Sequence, residues 1–131
     1  MTDAKQDYQD QARSALDKLK TQMDELRVQA DLAQAEARDR LGQSIETLRK
    51  RQADARAKID EAQKAGNDAW KSVARQAEQV VGDLGEAFSK LASEVQSTVG
   101  AAGAAANKGQ EAFFDEWKKM RAQRKKILDK E

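Results

Sequence analysis

An apolar stripe holds helical phase through almost the whole of this 131-residue chain, and no proline interrupts it. In the first half Leu16, Leu19, Met23, Leu26, Ala30, Ala33 and Ala37 step by threes and fours, which is a heptad seam. In the second half Val73, Ala77, Val80, Leu84, Phe88, Leu91, Val95, Val99 and Ala102 follow a pattern that is largely an 11-residue repeat, as in Ala77, Phe88 and Val99. A stripe of this kind is stable only when a second apolar surface covers it. The chain therefore works by packing its helices against something, and the fold class is all-α.

Composition narrows the class further. Charged residues make up 36% of the chain and aromatics 5%, and alanine carries much of the apolar share. That is the make-up of long helices and coiled coils, with too few large side chains for a wide core. Cysteine and histidine are both absent. Disulfides, thiolate or imidazole metal sites and Ser-His or Cys-His nucleophiles are excluded with them. No glycine-rich phosphate loop or aromatic pocket cluster appears either, so the chain reads as a non-enzyme with no cofactor and no small-molecule substrate.

The start of the chain, Met1-Thr2-Asp3-Ala4-Lys5-Gln6-Asp7, has neither the basic nor the apolar region of a signal peptide. The longest uncharged run, Val95 to Asn107, is shorter than the roughly 20 residues that span a bilayer. A cytoplasmic protein is expected, with a peripheral place on a membrane or granule open to it.

Glycine and asparagine supply the punctuation. Asp3 with Gln6 resembles a capping box that would start a helix. Gly66 is suited to the left-handed position after a helix end, and Asn67 or Asp68 to capping the next helix. The expected architecture is one domain, 1–131, forming a long antiparallel helical hairpin or coiled coil. Its first arm is 3–65, its turn 66–68 and its second arm 68–99. A soft Gly/Ala segment, 100–109, and a C-terminal helix, 110–129, follow. Two other arrangements fit the pattern. Turns at Gly42 and at Gly82-Asp83-Leu84-Gly85, with Asp83 and Glu86 as a capping box, would give a three-helix bundle. The apolar phase also runs through Gly66, which permits a single long helix.

Four functional features follow from this organisation. Leu16, Leu19, Met23, Leu26, Leu84, Phe88, Leu91 and Val95 form the stripe through which the chain is expected to self-associate, as a homo-oligomer. Phe113, Trp117, Lys118, Lys119, Arg121, Lys125 and Lys126 form a basic amphipathic helix suited to a lipid or granule surface. Arg124 falls awkwardly within its apolar arc, and the competing reading makes Phe113 and Trp117 a bundle anchor. Arg49, Lys50, Arg51, Arg56 and Lys58 form a second basic cluster, whose functional reading is nucleic acid. A net charge of +1 argues against that, since counterion release needs a dense single-sign face. Tyr8 and Trp70 sit singly on the stripe, as packing residues.

Over residues 66–110 the period and composition resemble those of amphipathic 11-residue-repeat proteins: apolipoprotein-like helices, group 3 late-embryogenesis-abundant proteins and phasins of storage granules. The resemblance implies surface coating or stress protection without catalysis. The leading expectation is thus a non-enzymatic helical scaffold that self-assembles and coats a membrane or granule. The alternatives are a module binding nucleic acid or another anionic partner, and a stress-protective hydrophilic helical protein.

Overall fold

The computed structural model of the protein describes residues 4–66, 69–99 and 104–129, with side chains from 111 onward in the last of these. Asp3, Asn67, Asp68 and Gly100 to Gly103, all assigned roles above, lie outside the described residues. The described chain forms four helices: α1 (Ala4–Ala30), α2 (Ala35–Lys64), α3 (Trp70–Val99) and α4 (Ala104–Asp129). The all-α expectation holds. In place of two long arms, however, the chain makes four shorter helices of similar length.

Each helix runs antiparallel to the next. Gln9 near the start of α1 reaches Ile59 near the end of α2, while Asp24 meets Arg49. Arg40 early in α2 meets Glu94 late in α3, and Glu78 early in α3 meets Arg124 late in α4. α4 also packs on α1, which closes the bundle.

The break between α1 and α2 was not marked by glycine or proline. At its end α1 tightens, with Leu32 and Ala33 amides bonding three residues back to Gln29 and Ala30. Gln34 is then extended (φ −63°, ψ 157°), and α2 starts with Arg38 N–H on the Gln34 carbonyl. Packing explains the turn. A continuous helix would leave the seam of α1 and the seam of α2, Leu41, Ile45, Leu48, Ala55, Ile59 and Ala62, without a mutual cover. Folding back buries both, and leaves Val28 and Leu32 at the tip 67% and 62% exposed.

The α2–α3 connection differs in its mechanism from the one expected at Gly66. Ala65, extended at φ −70° and ψ 151°, ends α2, and Gly66 does not take the left-handed conformation. The Gly66 carbonyl instead accepts from the Ala69 and Trp70 amides to open α3. Gly42, Gly82 and Gly85 are interior residues of α2 and α3, not turns, so the three-helix arrangement and the Asp83–Glu86 capping box do not form. α4 begins at Ala104, so 104–109 is helix and only the start of the Gly/Ala segment stands between α3 and α4.

The buried seam of α3 is also a heptad. Trp70, Ala74, Ala77, Val81, Leu84, Phe88, Leu91 and Val95 step strictly by four and three, and Val73, Val80 and Val99 are only half-buried beside it. The core seams are rich in alanine: Ala12, Ala15, Ala30, Ala55, Ala62, Ala74, Ala77 and Ala92 are all buried. Small side chains let the helix axes approach closely. On the outside Asp60, Asp17 and Asp24 pair with Arg13, Arg56 and Arg49 at 2.9, 2.8 and 2.7 Å, a ladder across the α1–α2 seam.

Gly42 is buried where only a flexible arginine tip stands in the way, since a Cβ there would lie 3.3 Å from the Arg27 guanidinium. A helical glycine costs about 0.5–1 kcal/mol relative to alanine. Gly42→Ala is therefore expected to stabilise the fold by up to about 1 kcal/mol, read as a higher urea midpoint at unchanged m.

Candidate interaction surface on the fourth helix

α4 presents two unlike faces. Phe113, Trp117, Arg124 and Leu128 are 7%, 6%, 0% and 4% exposed and face the bundle. Lys118, Lys119, Arg121, Lys125 and Lys126 are exposed. The two groups sit on one helix because apolar residues recur at helical spacing while lysines fill the positions between them. None of the ion pairs among the described residues involves these five cations. From Trp117 to Leu128 the helix carries no acidic residue at all.

The aromatic half anchors α4. The Trp117 indole fills a notch that Gly85 leaves in α3, where a Cβ would stand 2.7 Å from the indole nitrogen. Arg121 lies over Gly82 in the same way, its guanidinium 2.8 Å from an added Cβ. Further along, Phe88 of α3 meets Phe113 edge-on at 6.0 Å and Phe114 at 5.7 Å between ring centroids. The edge-on Phe88–Phe113 contact is a favourable geometry for an aromatic pair, and Phe114 lies tilted against the same ring. Two glycines that the alternative three-helix arrangement made turn residues are thus the sockets of the α3–α4 contact.

The polar half holds a small buried network. Arg124 Nε donates to Glu78 Oε1 at 2.8 Å, and the Tyr8 hydroxyl donates to Glu78 Oε2 at 3.1 Å, with the Ala74 carbonyl 3.2 Å away. Gln9, next along α1, donates from Nε2 to the Ile59 carbonyl. The Arg124 guanidinium carbon lies 6.0 Å from the Trp117 ring centroid, at the edge of cation–π range. Its Nη1 and Nη2 atoms are buried and meet no protein acceptor. Arg124, the residue that interrupts the apolar arc, is thereby accounted for: its partner Glu78 interrupts the facing helix. Neither half of the pair is recognisable alone, because the signal is the juxtaposition of two helices.

Burial, above all, and the adjacent Glu78 carboxylate raise the Tyr8 hydroxyl well above its ordinary value. A raised folded-state pKa contributes stability below the unfolded value, near pH 10, and loses it as pH climbs above that. Tyr8 is the single tyrosine. In an alkaline titration its phenolate absorbance is expected to appear together with loss of helical dichroism. Ionisation of Tyr8 in a chain that is still fully helical would contradict the buried hydrogen bond.

The other predicted sites are placed differently. Leu16, Leu19, Met23, Leu26, Leu84, Phe88, Leu91 and Val95 are all buried, covered by other helices of the same chain. In the second basic cluster Arg49 pairs with Asp24 and Glu46, Arg56 with Asp17 and Lys58 with Glu61. Its charge is largely neutralised by carboxylates of α1 and of α2 itself, leaving Lys50 and Arg51 as the residues outside the ion pairs. At the α1–α2 tip an open groove of mixed sign is lined by Arg27, Asp31, Arg38, Asp39 and Glu46. Among the described residues no cluster of three acidic, histidine or cysteine side chains suits a metal ion, and no helix is long and apolar enough to cross a membrane. Comparison with known proteins finds no matching family model, no matching curated protein and no matching solved structure.

Proposed function

We propose that this protein is a non-enzymatic helical module that adheres to an anionic lipid surface, a membrane or the coat of a granule, through the exposed face of α4. The observation that carries the reading is the set Lys118, Lys119, Arg121, Lys125 and Lys126, exposed on one helix and outside every described ion pair. A basic helical face beside anionic headgroups gains up to about 1 kcal/mol per cation. The rival surface, Arg49 to Lys58, has most of its charge tied up by carboxylates of α1 and α2, which disfavours nucleic acid as the partner.

Pelleting with phosphatidylglycerol vesicles tests this. The protein is expected to sediment with them, to stay in solution with phosphatidylcholine, and to dissociate as salt rises. Removing four lysine charges in K118Q/K119Q/K125Q/K126Q lowers binding by more than about tenfold at up to about 1 kcal/mol each. Equal pelleting on the neutral vesicles would overturn the proposal. So would a gel shift of duplex DNA at physiological salt that the same variant leaves intact.

The burial of the stripe within one chain favours a monomer away from any surface. Sedimentation velocity is expected to give a mass near 14.5 kDa at low micromolar concentration. A discrete larger species would instead support self-assembly through exchanged helices.

A further inference from the structure

Arg124 is the one fully buried cation among the described residues, and it is under-used where it sits. A guanidinium is built to bind in a planar, two-pronged fashion, and it matches phosphate oxygens well. Here only Nε–H has an acceptor, the Glu78 carboxylate, while Nη1 and Nη2 meet none in the protein. The residues that share its face, Phe113, Trp117 and Leu128, are those that a helix lying in a lipid interface turns toward acyl chains. An arginine among them would reach up its own stem to the headgroup level, where phosphate is the acceptor.

We propose that Arg124 is a latent phosphate-binding group. In the closed bundle it latches α4 to Glu78. At an anionic lipid surface it exchanges that carboxylate for a lipid phosphate, as α4 turns Phe113 and Trp117 from the bundle into the acyl layer. The proposal rests on the surface-binding reading above, and adds to it that the helix is released rather than merely touched. Three features make the exchange feasible. Lys118, Lys119, Lys125 and Lys126, exposed on α4, bring phosphates to the helix before it opens. The Lys18–Glu116 pair, the one ion pair from α4 to α1 among the described residues, is exposed and easily screened. Tyr8 keeps Glu78 and the Ala74 carbonyl as partners after Arg124 leaves.

The experiment uses the full chain carrying Trp70→Phe, so that Trp117 is the sole emitter, with phosphatidylglycerol vesicles whose acyl chains are brominated. Bromine quenches only an indole that enters the acyl layer, and Trp117 in the closed bundle is 6% exposed. Strong quenching is expected with the vesicles and none with inorganic phosphate, which separates a lipid phosphate from a free one. In the same background E78M/R124M, which replaces the whole latch by apolar side chains, should require at least about tenfold more vesicle for half-maximal quenching (tenfold is about 1.4 kcal/mol). Glu78→Gln, which weakens the latch but leaves Arg124, should require less vesicle than the parent. Pelleting without quenching would overturn the release of α4 while leaving surface binding intact. Absence of pelleting would overturn both. Quenching curves that coincide for the parent, Glu78→Gln and E78M/R124M would remove Arg124 from the mechanism.

Discussion

Phe88→Ala is expected to destabilise the bundle by about 3–5 kcal/mol, the range for deleting a buried aromatic ring. Phe88 is fully buried, and it is the α3 side chain on which both Phe113 and Phe114 of α4 rest. Its neighbours along α3, Leu84 and Leu91, are held by the same rigid helix and cannot collapse into the space. The loss is therefore transfer free energy plus a cavity, and it falls on the contact that seats α4. Single domains hold only about 5–15 kcal/mol in total, so the variant should be close to half-unfolded at moderately raised temperature. Thermal denaturation by circular dichroism checks it. A loss below about 1 kcal/mol would mean that the aromatic cluster does not carry the α3–α4 contact.

Arg124→Ala should be nearly as damaging for a different reason. It strands the Glu78 carboxylate, whose side chain is 15% exposed, with the Tyr8 hydroxyl as its remaining side-chain hydrogen-bond partner. Removing one partner of a buried pair costs about 3–5 kcal/mol, and the partial exposure of Glu78 places the expectation at about 3. E78M/R124M should recover that loss and exceed the parent by about 1–4 kcal/mol, because desolvating two charges is avoided. Urea midpoints of the three proteins separate the cases. Should the double variant be as unstable as Arg124→Ala, the network would be a genuine source of stability rather than a latch with a cost.

The stripe was legible because helical periodicity is a local property of the chain: its residues in α1, and Ala77, Leu84, Phe88, Leu91 and Val95 in α3, are buried. The phase in α3 was less so: Val73 and Val80 look like seam positions beside the equally apolar Ala74 and Val81, and only the placement of the partner helices chooses between them. The turn at Asp31–Gln34 has no glycine or proline to announce it, since it forms where tertiary burial outweighs continued helix. Gly82 and Gly85 left a turn open as one alternative, and both lie inside α3; a glycine written for close approach looks the same as one written for a bend. At the candidate surface the lysines were readable from composition alone. The burial of Phe113 and Trp117 and the pairing of Arg124 with Glu78 were not, because both depend on which helix lies opposite.

Seams lined with alanine discriminate poorly between neighbouring alignments, since one small residue fits against its neighbour much as the next one would. The α3–α4 contact escapes that degeneracy through unlike neighbours at fixed intervals. Glu78, Gly82 and Gly85 on α3 face Arg124, Arg121 and Trp117 on α4. Sliding α4 one turn toward the start of α3 would give Arg121 the carboxylate and Trp117 the Gly82 socket, a tolerable exchange by itself. The same slip brings Arg124 to Arg75 and pulls Phe113 off Phe88. Sliding the other way leaves Arg124 buried against Gly82 with no carboxylate. The buried charge thus gives the helix a single address, in a bundle whose apolar surfaces alone would accept several.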